Sequence, residues 1–291
     1  TDTTQVGITV TAEADAPQLG LGTHDIHSLQ GAWVPLNLSA SVVNPAPGEL
    51  SVRIQNLGGA QVVDEHGQGV GHADNSGDWL LPMEHSVPLY VKDLAAGDHS
   101  LILTAESSAG GSTLSSAEET LTIHSQSGHD LVGSDRGDWL FGSTGSDRIL
   151  GGLGDDVIRG GQGNDILSGG AGSDLFVWGQ GDEGTATQPA IDTVTDFHPE
   201  EGDKRDLADL LKGVTDNSVD GLLGHLSASV TTGSAGLSDV NLSVSPAGDG
   251  QVTQQITLKG VDLSGWNLSG SSSHDILQSM LDQHSLIIQH P

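Results

Sequence analysis

The stretch 133–177 decides the fold. It reads GSDRGDWLF (133–141), GSTGSDRIL (142–150), GGLGDDVIR (151–159), GGQGNDILS (160–168) and GGAGSDLFV (169–177). These are five copies of G-G-x-G-x-D-x-U-x, with U apolar. Asp138, Asp147, Asp156, Asp165 and Asp174 recur at an unbroken nine-residue step. The first six residues of each unit must turn sharply, and glycine reaches positive φ there without steric cost. An apolar residue follows two places after each aspartate: Leu140, Ile149, Ile158, Leu167 and Phe176. One buried side chain per unit is too little to offset the ordering of nine residues. The unit needs something besides apolar burial to fold.

These units resemble the RTX nonapeptide repeat, whose period and glycine pattern belong to a calcium-binding parallel β-helix class. The resemblance implies a parallel β-roll with a calcium ion in each loop. In such a coil the last three residues of each unit form a short strand, and two units make one 18-residue turn. The five apolar residues then point inward. Asp138, Asp156 and Asp174 stack on one edge, and Asp147 and Asp165 on the other. Without a ligand these rows would repel. A hard cation between turns would take carboxylate and turn-carbonyl oxygens, and its binding would become folding free energy. The expected ligand set is the five aspartates with the turn glycines Gly145, Gly154, Gly163 and Gly172. A glycine-rich linker would not keep five in-register copies. An ice-binding roll would show a Thr/Asn ladder, whereas the third positions are Asp135, Thr144, Leu153, Gln162 and Ala171.

Both ends of the repeat look degenerate. Gly128-His129-Asp130-Leu131-Val132 reads as a unit shortened by one residue, which makes Asp130 a further ligand candidate. Asp192-Thr193-Val194 falls 18 residues after Asp174, with Gly179, Gly181, Asp182 and Glu183 between. One more turn ending near Phe197 is expected, with Asp182, Glu183, Asp192 and Asp196 as further ligand candidates.

The charge balance agrees with a cation partner. Nine basic against 39 acidic residues give a formal net charge of −30. That excludes nucleic acid and anionic membrane, which need a basic footprint. Cysteine is absent, so metal would do what disulfides do in many secreted proteins. No apolar run approaches the length of a membrane span, and membrane insertion is not expected. The chain opens at Thr1 without a leader-like segment and reads as a piece of something longer.

The expected fold class is all-β: an immunoglobulin/cadherin-like β-sandwich, then a calcium-bound parallel β-roll, then a small mixed β/α cap. The expected boundaries are 1–14 (end strand of a preceding module, or linker), 15–126, 127–197 and 198–291. Val6–Ala12 alternates as a strand and breaks at Glu13-Ala14-Asp15-Ala16-Pro17. Strands are expected at 34–40, 50–55, 87–91, 100–106 and 119–124. Asp15-Ala16-Pro17, Gly77-Asp78-Trp79, Leu94–His99 and Leu103–Ser107 resemble the tandem immunoglobulin- or cadherin-like modules of large bacterial adhesins. Glu13 and Asp15 are candidate calcium ligands at a module junction; otherwise they are solvated linker charges. Trp33 and Trp79 suit core and turn packing better than a sugar-stacking pair. Asp74-Asn75-Ser76-Gly77-Asp78 suits a polar turn better than a calcium loop, since it lacks the downstream Glu of an EF-hand.

Beyond the repeats, Ser173–Trp178, Asp192–Phe197 and Gly202–Leu211 resemble the C-terminal target domain of type I secretion substrates, apart from Arg205, where that family carries an aliphatic residue. The resemblance implies an uncleaved export signal in 198–291. A short helix is expected at 206–212, a hairpin of 239–245 with 251–258, a helix around Ile276–Leu281 capped from Ser271–Ser273, and a last strand at 286–288.

No catalytic signature appears. There is no G-x-S-x-G, no H-E-x-x-H and no thiol. His24 and His27 sit three apart in an expected loop without a third zinc ligand. The chain therefore reads as a non-enzyme, monomeric and extracellular or at the bacterial surface. It reads as the C-terminal part of a secreted RTX adhesin that folds in calcium after type I export. Its partners would be the export machinery and a host or biofilm surface ligand. The alternatives are the accessory half of a secreted hydrolase and a stand-alone ligand-binding module.

Overall fold

The computed structural model describes residues 15–42, 50–83, 88–109, 112–232, 237–266, 268 and 270–289. Val6–Ala12, Glu13 and Val87 lie outside these residues. The N-terminal strands are β1 (Gln18–Leu21), β2 (Asp25–Leu29), β3 (Val34–Pro35), β4 (Leu38–Ser41), β5 (Leu50–Gln55), β6 (Gln61–Asp64), β7 (His72–Ala73), β8 (Trp79–Pro82), β9 (Leu89–Lys92), β10 (Gly97–Ala109), β11 (Ser112–Ser115) and β12 (Glu119–Gln126). The others are β13 (Asp130–Val132), β14 (Trp139–Phe141), β15 (Arg148–Leu153), β16 (Val157–Arg159), β17 (Ile166–Ala171), β18 (Leu175–Val177), β19 (Ala190–Val194), β20 (Lys204–Asp206), β21 (Leu226–Thr232), β22 (Ser238–Val244), β23 (Gln254–Val261) and β24 (Leu286–Ile287). Two helices, α1 (Val219–Leu222) and α2 (Ser273–Asp282), complete the described elements. No described helix is long and apolar enough to cross a membrane.

The chain divides into two compact units. The first comprises 1–24, 35–91 and 99–122, and its described pairings are antiparallel. β5 pairs with β8 and β10, β10 with β11, β7 with β8, and β1 with β4. Alternation sets the faces: in β10, Leu101, Leu103 and Ala105 are fully buried, and Val52, Ile54 and Leu81 join them. Arg53 leaves β5 on the other face. There it meets Glu106 (2.7 Å), Asp74 and Asp78 (3.4 Å). Asp74 also accepts the N–H groups of Ser76 and Asp78, so 74–78 is the polar turn expected. Trp79 is half-buried, with its indole N–H on the Val70 carbonyl. The strand expectations at 50–55, 100–106 and 119–124 are met by β5, β10 and β12, whereas 34–40 splits into β3 and β4.

The second unit comprises 25–34, 92–98 and 123–291. It winds as a coil of two parallel sheets. One runs β2–β14–β16–β18–β20–β24 and the other β13–β15–β17–β19–β23, where β22 and β21 add antiparallel. The registers Trp139↔Val157↔Leu175 and Arg148↔Ile166 give the 18-residue turn. Leu140, Ile149, Ile158, Leu167 and Phe176 are all fully buried in one core that continues through Val194, Phe197, Ile256 and Met280.

Several expectations need correction. Residues 123–291 cluster together in contact terms. Residues 25–34 and 92–98 leave the first unit, because Asp25–Leu29 is a strand that pairs in parallel with β14 (Leu140↔His27). His27 is thus on a strand and not in a loop. No helix forms at 206–212: Asp206 belongs to β20, and residues 208–213 run as hydrogen-bonded turns. The hairpin of β22 with β23 stands as expected. So does α2, whose N-cap Ser272 and Asp275 form a reciprocal capping box, and the closing strand β24 pairs with β20.

Candidate metal centre

Each repeat places its aspartate at the end of a glycine turn, immediately before the strand. Gly154, Gly163 and Gly172 turn with φ of 103°, 131° and 138°, which only glycine adopts without strain; Gly145 does not take positive φ. The turns stack closely. A Cβ on Gly172 would lie 2.1 Å from the Gly154 carbonyl oxygen, and one on Gly163 2.3 Å from that of Gly145.

The aspartates stand in two rows joined by one repeated hydrogen bond. The backbone N–H of each donates to Oδ1 of the next in its row. The bonds are Asp138 to Asp156 (2.8 Å), Asp156 to Asp174 (3.0 Å) and Asp174 to Asp203 (2.9 Å) on one edge. On the other they are Asp147 to Asp165 (2.9 Å) and Asp165 to Asp192 (2.8 Å). All but the half-buried Asp138 are buried.

The second carboxylate oxygen separates the members. Oδ2 of Asp138 accepts the Ser134 N–H, and Oδ2 of Asp147 accepts the N–H and Oγ–H of Ser143. Oδ2 of Asp156, Asp165 and Asp174 is buried without a hydrogen-bond partner. A buried anionic oxygen left so is expensive. Burial first, then neighbouring aspartates, push the carboxyl of Asp156 up to about 7 and that of Asp165 up to about 8, and raise that of Asp174. Each orphaned oxygen lies against the first glycine of its own unit. A Cβ on Gly151 would be 2.2 Å from Asp156 Oδ2 and 2.3 Å from the Gly169 carbonyl. A Cβ on Gly160 or Gly169 would meet Asp165 or Asp174 Oδ2 at 2.2 or 2.0 Å.

This donor set fits calcium. It consists of hard oxygens, one carboxylate per turn together with main-chain carbonyls, and the small glycines leave room beside them. No cluster of three or more His, Asp or Glu side chains forms among the described residues, so the carbonyls are needed to complete any ligand sphere. Asp156, Asp165 and Asp174 would hold the ion, and it would supply the positive charge that their unpartnered oxygens lack.

The ends of the rows differ from expectation. His129, not Asp130, falls opposite Asp147, because β13 pairs Asp130 with Arg148 and Leu131 with Ile149. The nine-residue step runs on unbroken, with His129 nine before Asp138 and Leu131 nine before Leu140, so histidine takes the aspartate's place and Leu131 the inward one. Leu131 is therefore buried and Asp130 exposed, while His129 Nδ1 lies 2.8 Å from Asp147 Oδ1. Asp192 does not continue the row of Asp174. β17 pairs with β19 (Leu167↔Val194), which sets Asp192 beyond Asp165. The segment before β19 is a loop in which Asp182 binds the Arg159 guanidinium at 2.8 Å through both oxygens, and Glu183 accepts from Gly181. Asp196 accepts from Ser168 Oγ, Gly169 N and Gly170 N. The extra turn therefore ends at β20, not near Phe197.

Asp203 is the row member that sequence reasoning missed. Its signal was present: Asp203-Lys204-Arg205 is the Asp-x-U pattern with arginine in the apolar place. Arg205 sits opposite Phe176 and is fully buried. Its guanidinium donates to the Ser285 carbonyl (2.9 Å) and Oγ (2.6 Å) and stacks 4.2 Å over Phe197. Burial lowers its pKa to about 9. Asp15 is exposed, and its expected partner Glu13 lies outside the described residues. His24 and His27 are not brought together as ligands: His24 meets Glu119, while His27 stacks on His124 and lies 3.8 Å from Asp138.

Comparison with known proteins finds the repeat itself. Residues 132–167 and 141–176 match the model of the RTX calcium-binding nonapeptide repeat. No curated protein matches the chain. Among solved structures, the AlgE6R3 subunit of the mannuronan C5-epimerase from Azotobacter vinelandii is similar, with 27% identity and a TM-score of 0.36. That match covers 47% of this chain and 76% of that one. The AlgE6R2 subunit of the same enzyme is 25% identical with a TM-score of 0.32, over 47% of this chain and 87% of that one. Repeats of this kind are typical of secreted proteins. Residues 132–176 are thus an RTX segment in an all-β chain, and calcium is its ion.

Proposed function

We propose that this chain is the calcium-dependent C-terminal part of a large secreted bacterial adhesin. It passes through a type I exporter unfolded, in low cytoplasmic calcium, and folds outside the cell. One observation carries the reading: three buried carboxylate oxygens, on Asp156, Asp165 and Asp174, have no partner in the protein. Until a divalent ion neutralises them the coil opposes its own folding, and affinities of about 10⁻⁴ to 10⁻³ M would place that switch at the cell boundary. The antiparallel N-terminal unit serves as an immunoglobulin/cadherin-like module that extends the fibre or meets a host or biofilm ligand. Residues 198–291 carry the export signal, and the chain performs no catalysis. The chain acts as a monomer.

The test is export with a type I transporter, followed by attachment. The full chain should reach the medium with its repeats at 133–177 unfolded when calcium is withheld and acquire its β-roll circular dichroism when calcium is added. Deleting 198–291 should keep it in the cell. Beads coated with the chain should hold to cells or biofilm only in calcium. Export without 198–291, or attachment indifferent to chelation, would refute the reading.

A further inference from the structure

The carboxylates at the C-terminal end of the rows are handled differently from those in the middle. Asp192 accepts the Asp165 N–H at Oδ1, as each row member after the first accepts from the one before it. Its Oδ2, the atom orphaned in Asp165, accepts two protein N–H groups: the Trp178 indole at 2.7 Å and the Gln254 side-chain amide at 2.7 Å. Both donors are buried, Trp178 at 2% exposure and Gln254 at 0%. Trp178 follows the last repeat directly, and Gln254 opens β23, which pairs with β19. The Gln254 amide turns its nitrogen to Asp192 and to the Gln255 carbonyl, and leaves its own Oε1 without a partner. The fold accepts one orphaned neutral oxygen and satisfies a charged one. The other row ends in the same manner, with Asp203 Oδ2 accepting the His198 N–H at 2.7 Å.

We propose that Trp178 and Gln254 take the place of calcium at Asp192, so that the metal sites of this edge stop at Asp165 and β19 is held by protein contacts alone. The inference rests on calcium binding by the rows and adds where that binding ends. Two N–H donors in a dry site satisfy a carboxylate oxygen through charge-assisted hydrogen bonds, with no ion to dehydrate. Asp165 has no such donors within reach of its Oδ2.

Two measurements on the full chain test this. The first is the number of calcium ions bound at saturation, by equilibrium dialysis with metal analysis. At the lowest calcium concentration that saturates the parent, Asp192→Asn should bind as many ions as the parent, and Asp165→Asn at least one fewer. A fall in Asp192→Asn overturns the inference alone; an unchanged count in Asp165→Asn overturns it together with the metal reading of the row. The second needs no variant: hydrogen exchange of the Trp178 indole N–H by NMR. It should stay protected when a chelator exposes the amides of β15 and β17. Loss of its protection in step with theirs would sink the proposal.

Discussion

Replacing Asp165 by asparagine keeps the side-chain shape and deletes its charge, and the two consequences have opposite signs. In calcium-free protein the buried Asp165 carboxyl, facing Asp192 and Asp147, is raised from 3.8 to about 8. A group raised in this way favours folding only while protonated. At pH 7 its forced ionisation or protonation therefore costs up to about 4 kcal/mol, at 1.36 kcal/mol per decade. Local relaxation reduces that to roughly 2 kcal/mol, since interior sites respond with an effective dielectric well above the dry value. The amide removes this cost. Its carbonyl still accepts the Asp147 N–H, now bonded at 2.9 Å. With calcium the balance reverses, because a charged ligand is lost, and affinity should fall about tenfold or more, which is about 1.4 kcal/mol. The assay is circular dichroism of the full chain at pH 7, titrated with calcium from a chelated start. The variant should begin with more roll structure than the parent and need about tenfold more calcium to reach its plateau. An unmoved calcium midpoint, or less structure at the chelated start, would refute the argument that the same oxygen opposes folding alone and recruits the metal.

In chelator, the stability of the roll should fall as pH rises through the window from 3.8 to about 8. Asp156 and Asp165 hold protons more tightly folded than unfolded there; a roll that gains stability across that range without calcium would contradict the placement of their oxygens. Phe176→Ala, at a fully buried site against Phe197, should cost about 3–5 kcal/mol in calcium by urea denaturation. Arg205→Met should change stability by no more than about 1 kcal/mol, since it replaces a buried cation by a side chain of similar volume. The Ser285 carbonyl then still accepts the Arg205 backbone N–H. Arg205→Ala, which leaves a cavity, should cost about 2–4 kcal/mol, and similar losses in both variants would show that the guanidinium bonds matter more than the packing.

What could be read without coordinates was local. The nine-residue unit states its own turn, its own row carboxylate and its own inward residue, and repetition fixes the stacking. Hence the five aspartates, the 18-residue turn and the five buried apolar residues were all legible. The α2 cap and the β22–β23 hairpin were legible for the same reason, since Ser272 with Asp275 and the Gly248–Gly250 turn act within a few residues. Tertiary structure alone decided which strand meets which at the ends of the roll. A parallel strand is chosen by a partner far along the chain, and nothing in Asp25–Leu29 announces β14 as its neighbour. A long loop held by Arg159 and Asp182 moved Asp192 to the other edge, and the unbroken nine-residue register put His129, not Asp130, opposite Asp147. The donors that finish the rows, Trp178 and Gln254, come from segments 76 residues apart in the sequence, and only folding brings both to one oxygen of Asp192.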